Sequence, residues 1–285
     1  VDYAAGERPV CVAMGRIDGD AYLDLVVVNH NSDNLSVFLN NGDGTFQAGV
    51  NYAISNGNEV IIVDLDGDGH QDLAVGADSP DIVSVFLNNG DGTFQAAGSY
   101  FLPDPPSSIA AGDLNGDGYQ DLTMTASSRV CVLLGDGDGT FQNPTDYNYG
   151  EELDSGILQD LNGDGRLDLI ILTGDGNSAG VFSGNGDGTF QAGTYDFYGV
   201  GNIPVSMVKG DLDGDGDQDF AVANQEGNDI SILINQSSSS SSGGGSGGCF
   251  LAAATLNGLS GRGFVDLCLF SVVVWGLRPR RVLRK

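Results

Sequence analysis

The sequence predicts an all-β protein: a β-propeller of four-stranded blades with five repeat units in view, then a disordered linker and a short hydrophobic C-terminal tail. Three observations carry this reading. The nine-residue string Asp-x-Asp/Asn-x-Asp-Gly-x-x-Asp occurs four times, beginning at Asp64, Asp113, Asp160 and Asp211, at spacings of 49, 47 and 51 residues. Short β-branched and aliphatic runs enter and leave these strings. An Asn/Asp-Gly-Asp-Gly-Thr-Phe-Gln segment, a hairpin signal, recurs in the first four units. A period near 50 residues with four strands per unit marks propeller blades.

The elements follow in order within each unit. A first strand ends at the acidic string, at residues 10–14, 60–63, 108–111 and 206–208, and a second leaves it, at 25–29, 73–76, 122–125, 169–172 and 220–223. A third strand follows a short loop that differs between units, at 35–39, 83–87, 130–134, 180–182 and 230–234. The Gly-Asp-Gly-Thr turn then leads to a fourth strand carrying Tyr52, Tyr100, Tyr147 or Tyr195. The fifth unit stops after its third strand at Asn235, while the chain opens on Val1-Asp2-Tyr3-Ala4, which matches Val50-Asn51-Tyr52-Ala53. The opening residues are therefore expected to complete the last blade and close the ring; the other reading is a chain cut mid-blade from a longer array.

Oxygen ligands at positions 1, 3, 5 and 9, with glycine at 6, are what a hard cation such as Ca²⁺ needs from one short turn, and the glycine lets the carbonyl of position 7 join them. The expected ligands are Asp64, Asp66, Asp68, His70 and Asp72; Asp113, Asn115, Asp117, Tyr119 and Asp121; Asp160, Asn162, Asp164, Arg166 and Asp168; and Asp211, Asp213, Asp215, Asp217 and Asp219. The position-7 residues among them, His70, Tyr119, Arg166 and Asp217, ligate through the backbone. About four Ca²⁺ sites result. An EF-hand starts alike but requires Glu at position 12, where this chain has Val75, Met124, Ile171 and Val222. An earlier copy, Arg16-Ile-Asp18-Gly-Asp20-Ala-Tyr22-Leu-Asp24, has Arg for the first ligand and Ala for the glycine, and is expected to be empty or weak.

Composition narrows the function. The 285 residues carry a net charge of −28, and only five of the 11 Lys and Arg, against 38 of the 39 acids, precede residue 249. So negative a surface repels nucleic-acid phosphates and argues against a DNA or RNA partner. Cys11 and Cys131 occupy places where equivalent strands carry serine, so they read as small core-lining residues with no disulfide between them. Neither Gly-x-Ser-x-Gly nor His-Glu-x-x-His occurs, and the two histidines stand apart, which argues against an enzyme.

On these loops and turns the chain resembles the bacterial FG-GAP/VCBS repeat proteins, relatives of the integrin α-subunit propeller, over residues 1–236. It departs from them in the Gln that follows each turn Phe (Gln47, Gln95, Gln142, Gln191), in lacking a recognisable Gly-Ala-Pro element, and in showing five units where the family usually builds seven blades. The resemblance implies a calcium-binding, extracellular, non-enzymatic adhesion module. Its partner would be a surface protein or a glycan, met on the face opposite the calcium loops, where the connections vary. A lectin reading places Tyr52, Tyr100, Tyr149 and Tyr198 on sugar faces; the blander reading packs them between blades.

Residues 237–248 are a Ser/Gly linker. Residues 249–285 hold an apolar run at 264–277 and a basic end, a pattern that resembles bacterial C-terminal sorting tails. This tail implies possible membrane contact at a bacterial cell surface, with Cys249 as a candidate processing or lipidation point.

Overall fold

A computed structural model describes residues 1–174, 176–236 and 251–256. It contains five four-stranded antiparallel sheets, each paired in strict sequence order. The first is β1 (Pro9–Gly15), β2 (Asp24–Asn29), β3 (Asn34–Phe38) and β4 (Val50–Ala53); the second is β5 (Gly57–Val63), β6 (Asp72–Asp78), β7 (Asp81–Asn88) and β8 (Phe94–Phe101). The third runs β9 (Ser108–Gly112), β10 (Asp121–Ala126), β11 (Arg129–Leu133) and β12 (Thr145–Asn148), and the fourth β13 (Leu153–Gln159), β14 (Asp168–Thr173), β15 (Ser178–Gly184) and β16 (Phe190–Gly199). The fifth has β17 (Pro204–Gly210), β18 (Asp219–Asn224), β19 (Asp229–Asn235) and β20 (Leu251–Leu256).

Successive first strands touch: β1 meets β5, β5 meets β9, β9 meets β13 and β13 meets β17. The sheets thus follow one another blade-fashion around their first strands, and the core lies between faces. The second and third strands are buried on both faces, so they read as continuous apolar runs and not as alternating ones; Leu73, Ala74 and Val75 are all fully buried. At position 12 of the acidic strings, Val75, Met124, Ile171 and Val222 are completely buried strand residues, which removes the EF-hand alternative.

Two expectations need correction. The fourth strand of the fifth sheet comes from Leu251–Leu256, hydrogen-bonded along β19, and not from residues 1–4. Part of the segment assigned to a tail is therefore sheet. The ring also stays open: no sheet closes it among the described residues. Residues 1–4 form no strand, yet they lie on the first sheet, where Tyr3 meets Phe46 edge-on at 5.5 Å.

Neither Cys11 nor Cys131 forms a disulfide among the described residues, and burial pushes the Cys131 thiol up to about 12. Among the described residues no helix is long and apolar enough to cross a membrane. The linker, Cys249 and the apolar run at 264–277 lie outside the described residues.

Candidate metal centre

Each acidic string joins the first strand of its sheet to the second and winds around its own side chains. At position 1, Asp64 accepts from Gly67 N–H (2.8 Å) and Gly69 N–H (3.0 Å), and Asp113 and Asp211 repeat the pair with Gly116 and Gly118, and with Gly214 and Gly216. Asp160 does the same with Gly163 and Gly165 and adds Asp164 N–H. At position 3, Asp66, Asn115, Asn162 and Asp213 each accept from the N–H two residues on. At position 5, Asp68, Asp117, Asp164 and Asp215 accept from the N–H of His70, Tyr119, Arg166 and Asp217. Such short-range bonds are the turn-forming habit of Asp and Asn. Here they gather three oxygen-bearing side chains around one turn.

The glycines at positions 4 and 6 make the winding possible. Gly67 and Gly69 have φ of +75° and +89°, a region L side chains seldom enter. In the first copy only Gly19 (φ +78°) is left-handed, because Ala21 stands at position 6. Asp18 and Asp20 keep their local bonds there, but Arg16 supplies no carboxylate for the wrap, and its own N–H donates to Gln71 of the next sheet at 2.6 Å.

Position 9 plays a part that the motif does not announce. Asp72 is fully buried; Oδ2 accepts from Leu65 N–H and Oδ1 from Asn88 N–H, both at 2.8 Å. Asp121, Asp168 and Asp219 repeat this, and so does Asp24 in the degenerate copy, with Ile17 and Asn40. The residue ties the loop to the far end of the third strand, whether or not the rest of the motif is intact. Burial raises the carboxyls of Asp24, Asp72, Asp121 and Asp168, to about 6 at Asp72 and Asp168.

Position-7 side chains turn outward across the first glycine of the Gly-Asp-Gly-Thr turn: Tyr22 over Gly42, His70 over Gly90, Tyr119 over Gly137 and Arg166 over Gly186. Loop and turn thus share one side of the sheet, and the backbone of position 7 stays with the loop. In the turns, Asp43, Asp91, Asp138 and Asp187 accept from the following Thr hydroxyl and N–H, which holds their carboxyls below the usual range.

Two clusters of three carboxylates result, Asp64 with Asp66 and Asp72, and Asp211 with Asp213 and Asp215, each with ligand oxygens within 4.8 Å of one another. Each can hold a metal ion. Desolvation, with repulsion from Asp68 and Asp64, raises the Asp66 carboxyl, as expected of acids crowded without a counter-charge. The loops at Asp113 and Asp160 form no such trio because position 3 is Asn115 or Asn162, whose amide oxygen is neutral.

On the opposite side, the connections differ from sheet to sheet. Arg129 pairs with Asp104 at 3.1 Å and with Asp146, while His30 Nδ1 lies 3.0 Å from the Gly57 carbonyl. The tyrosines do not furnish an open stacking surface. Tyr52 and Tyr100 pack edge-on against Phe94 and Phe141 of the following sheet, whose N–H groups donate to their hydroxyls at 3.2 and 2.8 Å. Tyr149 sits on Phe182 at 4.4 Å, and Tyr198 joins the core between the fourth and fifth sheets.

The FG-GAP-like repeat pattern matches residues 16–75, 64–124 and 160–222. The chain belongs to the FG-GAP-like repeat family. As such a domain it is a structural and adhesive module and not a catalyst. No curated protein matches its sequence. Among solved structures it is similar to an Agrocybe aegerita lectin described for specific recognition of non-reducing terminal N-acetylglucosamine (22% identity, TM-score 0.61, 87% of this chain and 66% of that one). It is also similar to BBS1N in complex with ARL6DN (13%, TM-score 0.57, 81% and 66%) and to a Desulfotomaculum acetoxidans protein of unknown function (15%, TM-score 0.55, 74% and 61%). At these identities the likeness is one of fold, and the chain spans less than two thirds of each of these three.

Proposed function

We propose that this FG-GAP-like repeat domain is a calcium-dependent adhesion or ligand-binding module of the extracellular or bacterial cell surface, with Ca²⁺ at the four intact loops. The observation that carries it is the recurrence of one wound acidic loop in four successive sheets, with oxygen-bearing side chains at the same positions in each and three carboxylates brought together in two of them. The position-1, -3 and -5 side chains supply the first ligands, and the position-7 carbonyl and the position-9 carboxylate complete the shell, as hard oxygen donors suited to Ca²⁺. Bound calcium would offset the acidity of one side of the stack and stiffen it. The unlike connections on the other side, carried on that scaffold, are then the place for a protein or glycan partner.

Calorimetric titration of the chain with calcium, paired with thermal unfolding with and without chelator, tests this. Close to four sites and a large stabilisation are expected; an absence of binding would reduce the loops to acidic turns and remove the main support for a calcium-dependent role. Carbohydrate recognition is the second reading, favoured by the fold shared with the Agrocybe lectin. A glycan array separates it from protein binding. Calcium affinity on the order of 10⁻⁴–10⁻³ M would suit an extracellular module.

A further inference from the structure

The four wound loops differ at position 3 in a way that simple chemistry can erase. Two have aspartate there, Asp66 and Asp213, and these two loops bring three carboxylates together. The other two have Asn115 and Asn162, each followed by the position-4 glycine, Gly116 or Gly163. An Asn-Gly pair is open to loss of the side-chain amide, because glycine has no side chain to keep its backbone nitrogen from closing on the preceding Cγ.

The loops add three features to that bare susceptibility. Gly116 N–H donates to Asp113 Oδ1 at 2.7 Å, and Gly163 N–H to Asp160 Oδ1 at 2.8 Å. The nitrogen that must lose a proton in order to attack therefore has a carboxylate base on it. Asn115 Oδ1 accepts from Asp117 N–H at 3.0 Å, and Asn162 Oδ1 from Asp164 N–H at 2.8 Å. Those donors stabilise the negative charge that grows on the amide oxygen as the ring closes. Both glycines are exposed and both asparagines half-buried, so water reaches the reacting atoms.

The Gly-Asp-Gly-Thr turns hold the same dipeptide differently. At Asn41-Gly42 and Asn89-Gly90 the glycine N–H donates to a neutral amide oxygen, Asn40 Oδ1 or Asn88 Oδ1, at 2.9 Å. The Asn41 and Asn89 amides are themselves committed through Nδ2 to the Thr45 and Thr93 hydroxyls, also at 2.9 Å. Sequence ranks these four pairs equally; their hydrogen bonds do not.

We propose that Asn115 and Asn162 are sites of self-catalysed deamidation, by which the loops at Asp113 and Asp160 acquire the position-3 carboxylate that the other two loops already have. Asp113 takes the proton of Gly116 N, the nitrogen bonds to Asn115 Cγ, and the Cγ–Nδ2 bond breaks, the amide nitrogen leaving as ammonia after water protonates it. Water then opens the five-membered imide. Attack at Cγ leaves aspartate at position 115, and attack at the main-chain carbonyl leaves isoaspartate, with the chain routed through Cβ. The balance is water in and ammonia out, with no redox step and one negative charge gained at each site. Asp160, Asn162 and Gly163 follow the same course.

The modification stands on the loop's own atoms, whereas its effect on ion binding rests on the function proposed above. A bound cation would draw Asp113 and Asn115 Oδ1 into its shell and take the base from Gly116, so calcium is expected to preserve the amides.

The test is ageing of the folded chain in chelator at mildly alkaline pH, followed by peptide mapping that separates aspartate from isoaspartate. Positions 115 and 162 are expected to convert about tenfold faster than 41 and 89, short of the 10²–10⁴-fold that a base placed for catalysis gives. In urea all four are expected to convert at similar rates. Asp113→Asn keeps an acceptor for Gly116 N–H but no base, and is expected to slow position 115 while sparing position 162 in the same molecule. Conversion at 115 and 162 no faster than at 41 and 89 in the folded chain would overturn the proposal, as would an undiminished rate in Asp113→Asn. Isoaspartate as the sole product would overturn the gain of a position-3 ligand. Calcium titration of the aged chain and of Asn115→Asp is expected to show tighter binding than the fresh chain. Rapid conversion with no calcium binding in any of them would sustain the modification and refute the calcium role.

Discussion

The first and second sheets share strand order and register, yet only the second carries an intact acidic loop. Arg16 and Ala21 replace the ligand at position 1 and the glycine at position 6, and the wrap around position 1 disappears with them. Asp24 nevertheless holds Ile17 and Asn40 as Asp72 holds Leu65 and Asn88. One motif thus combines two jobs. Position 9 ties the loop to the sheet, and in the second sheet also joins Asp64 and Asp66, while positions 1, 3 and 5 with the position-6 glycine wind the loop.

The sharpest way to break that division is at position 9. Asp72→Ala strands two buried N–H groups, each costing about 1–3 kcal/mol, and is expected to destabilise the chain in chelator and further in calcium, because it also removes a proposed ligand. Asp24→Ala in the degenerate sheet strands the same two groups and is expected to cost equally in both conditions, by urea unfolding. A loss confined to calcium at Asp72 would make that residue chiefly a ligand.

Positions 1, 3 and 5 are expected to behave oppositely. Asp68→Ala or Asp215→Ala should lower the melting temperature in calcium and leave it nearly unchanged in chelator, whereas Asp20→Ala in the first loop should be insensitive to calcium. With calcium at a hundred times Kd, each lost site removes about 2.7 kcal/mol. Equal losses in the two conditions would count against metal binding at those loops.

A further contrast lies on the inner strands. After the bulge of its first strand, the first sheet has Cys11 facing Val28, and the second has Glu59 facing Gly76. Glu59 Oε2 is sealed without a hydrogen-bond partner, and burial pushes the carboxyl up to about 8, only partly offset by the Ile109 backbone. The folded chain therefore holds a proton that the unfolded chain, near 4.5, has released. Stability from this group is present below about pH 4.5, falls as pH rises towards 8, and is level above it. Glu59→Gln is expected to flatten that part of the pH–stability curve and to gain on the order of a few kcal/mol at pH 9. Parallel curves for the two proteins would show that Glu59 ionises freely.

Sheet order and the winding of the acidic strings are legible in the sequence because both are local: a period near 50, and Asp, Asn and Gly spaced within nine residues. The double bond of position 9 was not, since Asn88 lies 16 residues beyond Asp72 and its N–H is invisible to a motif. The tyrosines were legible only as a choice, because packing on the next sheet's Phe is a contact across 42 residues between Tyr52 and Phe94. The fifth sheet's edge was misjudged for a different reason. Residues 1–4 match a fourth strand, and that likeness is correct, but it describes how Tyr3 sits on the first sheet and not which edge it completes. Leu251–Leu256, beyond a Ser/Gly linker, carries no repeat signature at all.

The smallest expected effect is also the most direct check on the comparison, because it asks the first loop to become the second. Asp18 and Asp20 already accept the N–H groups of Asp20 and Tyr22, and Gly19 is already left-handed. What is missing is a carboxylate at position 1 and freedom at position 6. Arg16→Asp together with Ala21→Gly supplies both and leaves the Asp24 bonds untouched. The double variant is expected to add one site to the calcium stoichiometry and about 1.4 kcal/mol of stability at ten times Kd. In chelator it should lose slightly, since a new carboxylate then sits beside Asp18 and Asp20 uncompensated and glycine loosens the unfolded chain. If calcium stoichiometry stays the same while the fold is retained, the wound loop needs more than these two positions, and the difference between the sheets lies elsewhere than in the motif.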